Sequence, residues 1–122
     1  MAFEKKLMLK NQVLEYQSKA DPNSDDPTIF VLKTISAEDM LVAKLMVGNS
    51  LDVEGKITDE ARAIKWLLYM CSKGIAEIKN FKGLTWAGYN AEVQSILIET
   101  NLVFEIGRKI YDLNSVKEQE KN

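Results

Sequence analysis

The sequence predicts a mainly α-helical α+β fold: about four helices with a small two-stranded, hairpin-like sheet. Three observations carry this prediction. Apolar residues recur at spacings of three and four between Thr58 and Lys79, as on one face of an α-helix. Residues 28–35 are rich in β-branched and aromatic side chains, which is typical of a strand. Both prolines lie within residues 18–27, so no proline interrupts the segments that follow.

The composition indicates one globular domain. The chain has 122 residues, of which 46% are hydrophobic and 28% charged, and this length buries a core without disulfides. The net charge of −2 argues against nucleic acid, because polyanion binding needs clustered Lys and Arg. Neither a membrane-spanning segment nor a signal peptide is evident, so we expect a cytoplasmic protein. The single cysteine, Cys71, is expected to be a buried hydrophobic residue.

Residues 1–27 are predicted to form a flexible N-terminal arm and linker. Apolar residues in 1–17 follow a loose helical period, which favours a helix, although a short strand fits part of this segment equally well. Residues 18–27 are rich in Pro, Asp, Asn and Ser, which is typical of a linker. The helical domain then comprises residues 28–114, and the charged tail of residues 115–122 is expected to stay in solvent.

The first strand and helix of the domain follow the linker. The strand predicted at 28–35 needs a partner for its backbone groups, and residues 80–86 are the predicted partner, with a contribution from the N-terminus left open. Ser36 is predicted to cap a helix that runs to Val47 and stops at Gly48, with Asp39 in a shortened capping box.

A long central helix is predicted next, with Thr58 as its N-cap and Lys79 near its end. Asn90 is predicted to cap a short helix over residues 91–98, which breaks or kinks at 99–101. A last helix follows, with Leu102 and Leu113 at the ends of its apolar face. Gly107 lies inside this helix at a cost of about 1 kcal/mol relative to Ala, so we predict a close helix–helix contact there.

The sequence offers little for catalysis. There is no histidine and one cysteine, which removes the commonest general base and thiolate or imidazole metal sites. No glycine-rich phosphate-binding motif is present. The acidic residues around Asp52–Glu54 and Asp59–Glu60 do not match the spacing of a calcium loop, which favours a loop and a helix start. We therefore expect a non-enzymatic protein with no cofactor and no metal.

Protein–protein interaction remains the favoured role. Aromatic and methionine side chains are enriched at the cores of protein interfaces. Most of these residues are expected in the domain core, and Trp86, flanked by Gly83 and Gly88, is the best candidate for a partly exposed contact. The predicted protein-binding residues are Trp66, Tyr69, Met70, Phe81, Trp86 and Tyr89.

Three stretches resemble the tail assembly chaperones of long-tailed bacteriophages. In residues 25–36, the acidic-Pro-Thr segment Asp25-Asp26-Pro27-Thr28 leads into an apolar strand and the Ser36 cap of a helix. In residues 73–83 a helix end is followed by a loop with Asn, Phe and Gly. Residues 103–114 resemble the last helix, and residues 118–122 resemble its charged Lys-Asn ending.

The resemblance, which spans residues 25–122, implies a non-enzymatic role in the cytoplasm of the infected host. Such chaperones bind the tape-measure protein, keep its hydrophobic helices soluble and assist the tail tube subunits. Self-association is a further expectation. Two alternatives stay open: a structural virion subunit, such as a head–tail connector or tail component, and a small inhibitor or regulator of a host protein.

Overall fold

The structure is a computed structural model that describes residues 13–19, 26–48 and 50–114. Its elements, in chain order, are β1 Val13–Gln17, β2 Ile29–Lys33, α1 Ala37–Val47, α2 Glu60–Gly74, β3 Ile75–Lys79, α3 Ala91–Glu99 and α4 Leu102–Leu113. The predicted α+β fold is confirmed. The predictions for residues 1–12, for 20–25 of the linker and for the tail at 115–122 lie outside the described residues.

The sheet has three antiparallel strands in the order β1-β2-β3, rather than the predicted two. β1 pairs with β2 so that Leu14 lies opposite Leu32 and Tyr16 opposite Phe30. The helix favoured for this part of the arm is therefore wrong at Val13–Gln17, and the open suggestion of an N-terminal contribution to the sheet is confirmed. Residues 13–17 form a strand despite their loose helical period, because β2 lies in the middle of the sheet and its backbone groups need hydrogen-bond partners on both edges.

The second partner of β2 is β3, which the sequence placed in the central helix. β3 pairs Ile78 with Phe30 and Ile75 with Leu32, and all four side chains are buried. The central helix ends at Gly74 and not at Lys79. The strand predicted at 80–86 is wrong, because Asn80 takes a left-handed φ of 61° and the chain then turns, with Leu84 N–H donating to Phe81 C=O at 3.0 Å.

Three side chains cap the N-termini of helices. Ser36 caps α1 as predicted, accepting from the backbone N–H of Asp39, and Asn90 caps α3 by accepting from that of Val93. The cap of α2 is Asp59, which accepts from the N–H of Arg62, and the prediction of Thr58 is wrong by one residue. The predicted break between the last two helices is confirmed at Asn101, whose φ of 62° is left-handed.

The core is centred on α2 and α4. A Cβ added at Gly107 of α4 would lie 2.9 Å from both the Cβ and the carbonyl oxygen of Leu67 on α2. The predicted close contact at Gly107 is therefore confirmed. One turn along the same interface, a Cβ at Gly74 would lie 2.5 Å from Cγ2 of Ile110. Two glycines thus set the distance between these helices.

Trp66 ties the loop before α2 to this core. Its ring is fully buried and meets Tyr111 of α4 edge-on, with centroids 5.0 Å apart. Its indole N–H donates to Oγ of the buried Ser50 at 3.1 Å, and that hydroxyl donates to the carbonyl of Val47 at 2.6 Å. The polar edge of the largest core side chain is therefore satisfied without reaching solvent.

We predict that Gly107→Ala destabilises the protein by about 1–3 kcal/mol, because the methyl group overpacks the contact with Leu67. Helix propensity alone predicts the opposite, a gain of about 1 kcal/mol. Urea denaturation followed by circular dichroism measures the difference. Ser95→Ala, at an exposed position of α3, is the matched control and should change stability by less than about 0.5 kcal/mol. A stabilised Gly107→Ala variant would contradict the close packing.

Candidate protein-binding surface

The six predicted binding residues divide between the core and two parts of the surface. Trp66 and Met70 are fully buried, so neither offers surface to a partner in this structure, and their assignment as contact residues is corrected. Both lie in the core formed where α2 packs against α4, and Trp66 contacts Tyr111 there. The other four, Tyr69, Phe81, Trp86 and Tyr89, are partly buried and pack against the core.

Tyr69 lies where α2 meets α1. Its hydroxyl donates to Oδ1 of Asp39 at 3.1 Å, and Nζ of Lys73 lies 5.7 Å from its ring centroid. Burial, followed by the Asp39 carboxylate, raises the pKa of Tyr69. The Asp39 side chain thus joins two helices instead of completing the predicted capping box. The hydrogen bond from Tyr69 to Asp39 therefore stabilises the packing of α1 on α2.

The segment between β3 and α3 carries the other three residues, Phe81, Trp86 and Tyr89. Phe81 lines a groove with Phe30 and Leu102. The hydroxyl of Tyr89 is buried and has no hydrogen-bond partner among the described residues, and burial raises the pKa of Tyr89 to about 12. Its polar end therefore points inward. A binding role for these three residues stays a prediction.

An apolar face that the sequence analysis missed lies on the outer side of α1. Leu41, Val42 and Leu45 are 59%, 39% and 73% exposed, whereas Met40 and Ala43 on the other side of the same helix are buried. Side chains three and four apart on a helix share one face, so Leu41 and Leu45 are neighbours. The sequence carried a signal for this face, because the segment after Asp39 is apolar on nearly every side except at Lys44.

The α1 face continues into a surface groove beside α2. The apolar side chains of this groove are Leu45 and Met46 from α1 with Ala61, Ile64 and Leu68 from α2. Asp59, Arg62 and Lys65 complete its lining. Together the outer face of α1 and this groove, here called the α1–α2 surface, form a continuous apolar strip with charged residues beside it. Contiguous apolar patches of this kind mark interaction sites more often than isolated exposed residues do.

A carboxylate clamp fixes β1 to α4 on another part of the molecule. Glu105 accepts from the hydroxyl of Tyr16 at 2.6 Å, from the hydroxyl of Ser18 at 2.7 Å and from the backbone N–H of Lys19 at 2.8 Å. Burial by itself raises the pKa of Glu105, but the hydrogen bonds from Tyr16, Lys19 and Ser18 outweigh it and hold the pKa below its usual value. The clamp is structural, since every oxygen of Glu105 is occupied.

Reactive groups are scarce in the part of the chain that the structure describes. Burial raises the pKa of the Cys71 thiol to about 12, and the predicted buried position of this residue is confirmed. Oδ1 of Asp52 accepts from the N–H groups of Glu54 and Lys56 at 2.8 and 2.9 Å, which shapes the predicted loop. In residues 13–19, 26–48 and 50–114, no three His, Cys, Asp or Glu side chains converge as metal ligands.

None of the helices within these ranges has the length and apolar character to cross a membrane.

Comparison with known proteins gave no match to a family model, a curated protein or a solved structure.

We predict opposite results for two Tyr→Phe substitutions. Tyr16→Phe removes a hydrogen bond to a carboxylate and should destabilise the protein by about 1–2 kcal/mol. Tyr89→Phe removes a buried hydroxyl without a described partner and should leave stability unchanged or raise it slightly. Urea denaturation of both variants tests the pair, and equal losses would contradict the different environments of the two hydroxyls.

The Glu105 clamp predicts a pH-dependent contribution to stability. Because its pKa is lower in the folded than in the unfolded chain, the stabilisation is complete above the unfolded value of about 4.3 and is lost as pH falls through the folded value. Glu105→Gln should therefore be less stable than the wild type at pH 7, and the difference should shrink at acid pH. Urea denaturation across this pH range measures it. A difference that stays constant with pH would show that the carboxylate charge contributes nothing.

Proposed function

We propose that this protein is a non-enzymatic tail-assembly chaperone that binds helical segments of a phage tape-measure protein on its α1–α2 surface. The observation that carries the binding mode is the outer face of α1, where three large apolar side chains are exposed side by side. The identity of the partner comes from the resemblance of residues 25–122 to tail assembly chaperones.

The shape of the surface favours a helix as the occupant. Leu41 and Leu45 form a ridge along α1, and the groove beside it is bounded by Ile64 and Leu68 of α2. An amphipathic helix binds such a groove by placing side chains at i, i+3, i+4 and i+7 into it. A tape-measure protein has long stretches of hydrophobic helix that need cover before the tail tube encloses them. A chaperone with an exposed apolar strip would supply that cover.

The rigidity of the support suits this role. α1 is held to α2 by the Tyr69–Asp39 hydrogen bond and by the buried Met40 and Ala43. The outer face of α1 is therefore presented on a fixed scaffold, which reduces the conformational entropy lost on binding. Flexible residues at the edge, such as Met46, adapt to different sequences along a long partner.

We predict that Leu45→Glu reduces capture of the tape-measure protein by at least about tenfold, because it places a charge in the centre of the apolar strip. The protein is co-expressed with the tape-measure and tail tube proteins of the same phage, affinity-captured and analysed by mass spectrometry. Val53→Glu is the matched control, since Val53 is fully exposed in the loop before α2.

Three other outcomes decide between this proposal and its rivals. Loss of capture with Trp86→Ala but not with Leu45→Glu would move the binding surface to the segment between β3 and α3. A stable closed ring of the protein alone, with neither partner captured, would favour the structural virion subunit. Capture of neither protein by a monomeric wild-type chain would contradict the chaperone role.

A further inference from the structure

The α1–α2 surface carries positive charge beside its apolar strip. Arg62 and Lys65 line the groove together with Leu45 and Ile64, and both basic side chains are exposed. The Arg62 guanidinium lies against Gly48, the residue that ends α1, and Lys65 lies about one turn further along α2. A partner that covers the apolar residues therefore also covers these two cations.

Neither cation is neutralised within the part of the chain that the structure describes. The ion pairs among the described residues involve other basic side chains: Lys56 pairs with Glu54, Lys79 with Glu15 and Arg108 with Asp112. Asp59 also lines the groove, and its Oδ1 accepts from the backbone N–H of Arg62 at 3.1 Å, as the cap of α2. The groove thus has two basic side chains against one acidic side chain, on a protein whose net charge is −2.

We propose that the α1–α2 surface selects an acidic amphipathic helix, with an apolar stripe against Leu45 and Ile64 and carboxylates beside the stripe against Arg62 and Lys65. This inference rests on the proposed function and specifies the chemistry of the segment that is bound. Charge complementarity across an interface sets specificity and association rate more than affinity. Arg62 and Lys65 thus discriminate by charge between apolar helices that all fit the apolar strip.

A second copy of this chain is a poorer occupant. Two copies joined by a two-fold axis present the same patch to each other, which brings Arg62 and Lys65 of both copies to one interface. Like charges placed together at an interface disfavour association.

Fluorescence anisotropy with two designed peptides tests this charge selection. Both are labelled 18-residue helices with Leu at i, i+3, i+4 and i+7, and they differ only in whether Glu or Lys flanks the stripe. Glu and Lys have similar helix propensities, so helicity is matched. We expect the Glu peptide to bind about tenfold tighter than the Lys peptide at low salt, and we expect the ratio to fall as salt rises.

Charge reversal on the protein supplies the decisive comparison. Arg62→Glu combined with Lys65→Glu should reverse the preference between the two peptides. Arg62→Glu places a carboxylate in the first turn of α2, where the helix dipole favours it, so the fold is expected to be retained. Lys82→Glu, an exposed lysine outside the α1–α2 surface, is the control and should leave the preference unchanged.

The other outcomes separate this inference from the proposed function. Equal binding of both peptides, or tighter binding of the Lys peptide, would overturn the charge selection while leaving helix docking intact. Capture of the tape-measure protein without binding of either peptide would also overturn it, with the function upheld. Self-association that is lost in Leu45→Glu would overturn it by assigning the surface to a second copy. Preference for the Glu peptide without tape-measure capture would uphold the inference and reject the function.

Discussion

Helices α2 and α4 approach so closely that neither Gly107 nor Gly74 has room for a side chain at their interface. This spacing lets Leu67, Ile106 and Ile110 interdigitate without solvent, and all three are buried. Trp66 extends the same contact to the loop before α2 through Tyr111 and Ser50. The other elements are arranged around this pair: α1 packs on α2, α3 packs on α4, and the sheet follows directly from the end of α2 at Gly74.

The position of α1 explains why an apolar surface remains exposed. Its inner side, with Met40 and Ala43, packs on α2, and no other described element covers its outer side. The structure thus leaves Leu41 and Leu45 in solvent although burial would stabilise them. A residue pattern that is apolar on both sides of a surface helix is unexpected for a monomer that binds nothing. We propose that a partner helix covers this face and that the Arg62 and Lys65 side chains favour an acidic one.

Much of the helical part of the fold was predictable, because caps and apolar spacing act locally. Ser36, Asn90 and the break at Asn101 each depend on neighbouring residues alone. The sheet was not predictable in the same way. Ile75 and Ile78 continue the helical period of α2, and only the need of β2 for a second partner decides that they form a strand. The α1–α2 surface was missed for a related reason: which side of an apolar helix is buried depends on tertiary packing, and the sequence of residues 40–47 is apolar on nearly every side.

Whether the partner lies on the α1–α2 surface is the central claim, and methyl NMR tests it most directly. The Ile, Leu and Val methyl groups of the protein are labelled and observed while the captured partner segment is added. We expect the resonances of Leu41, Leu45, Ile64 and Leu68 to shift on binding. Those of Leu84 and Leu102, in or beside the segment between β3 and α3, should stay in place. Shifts confined to Leu84 and Leu102 would contradict it.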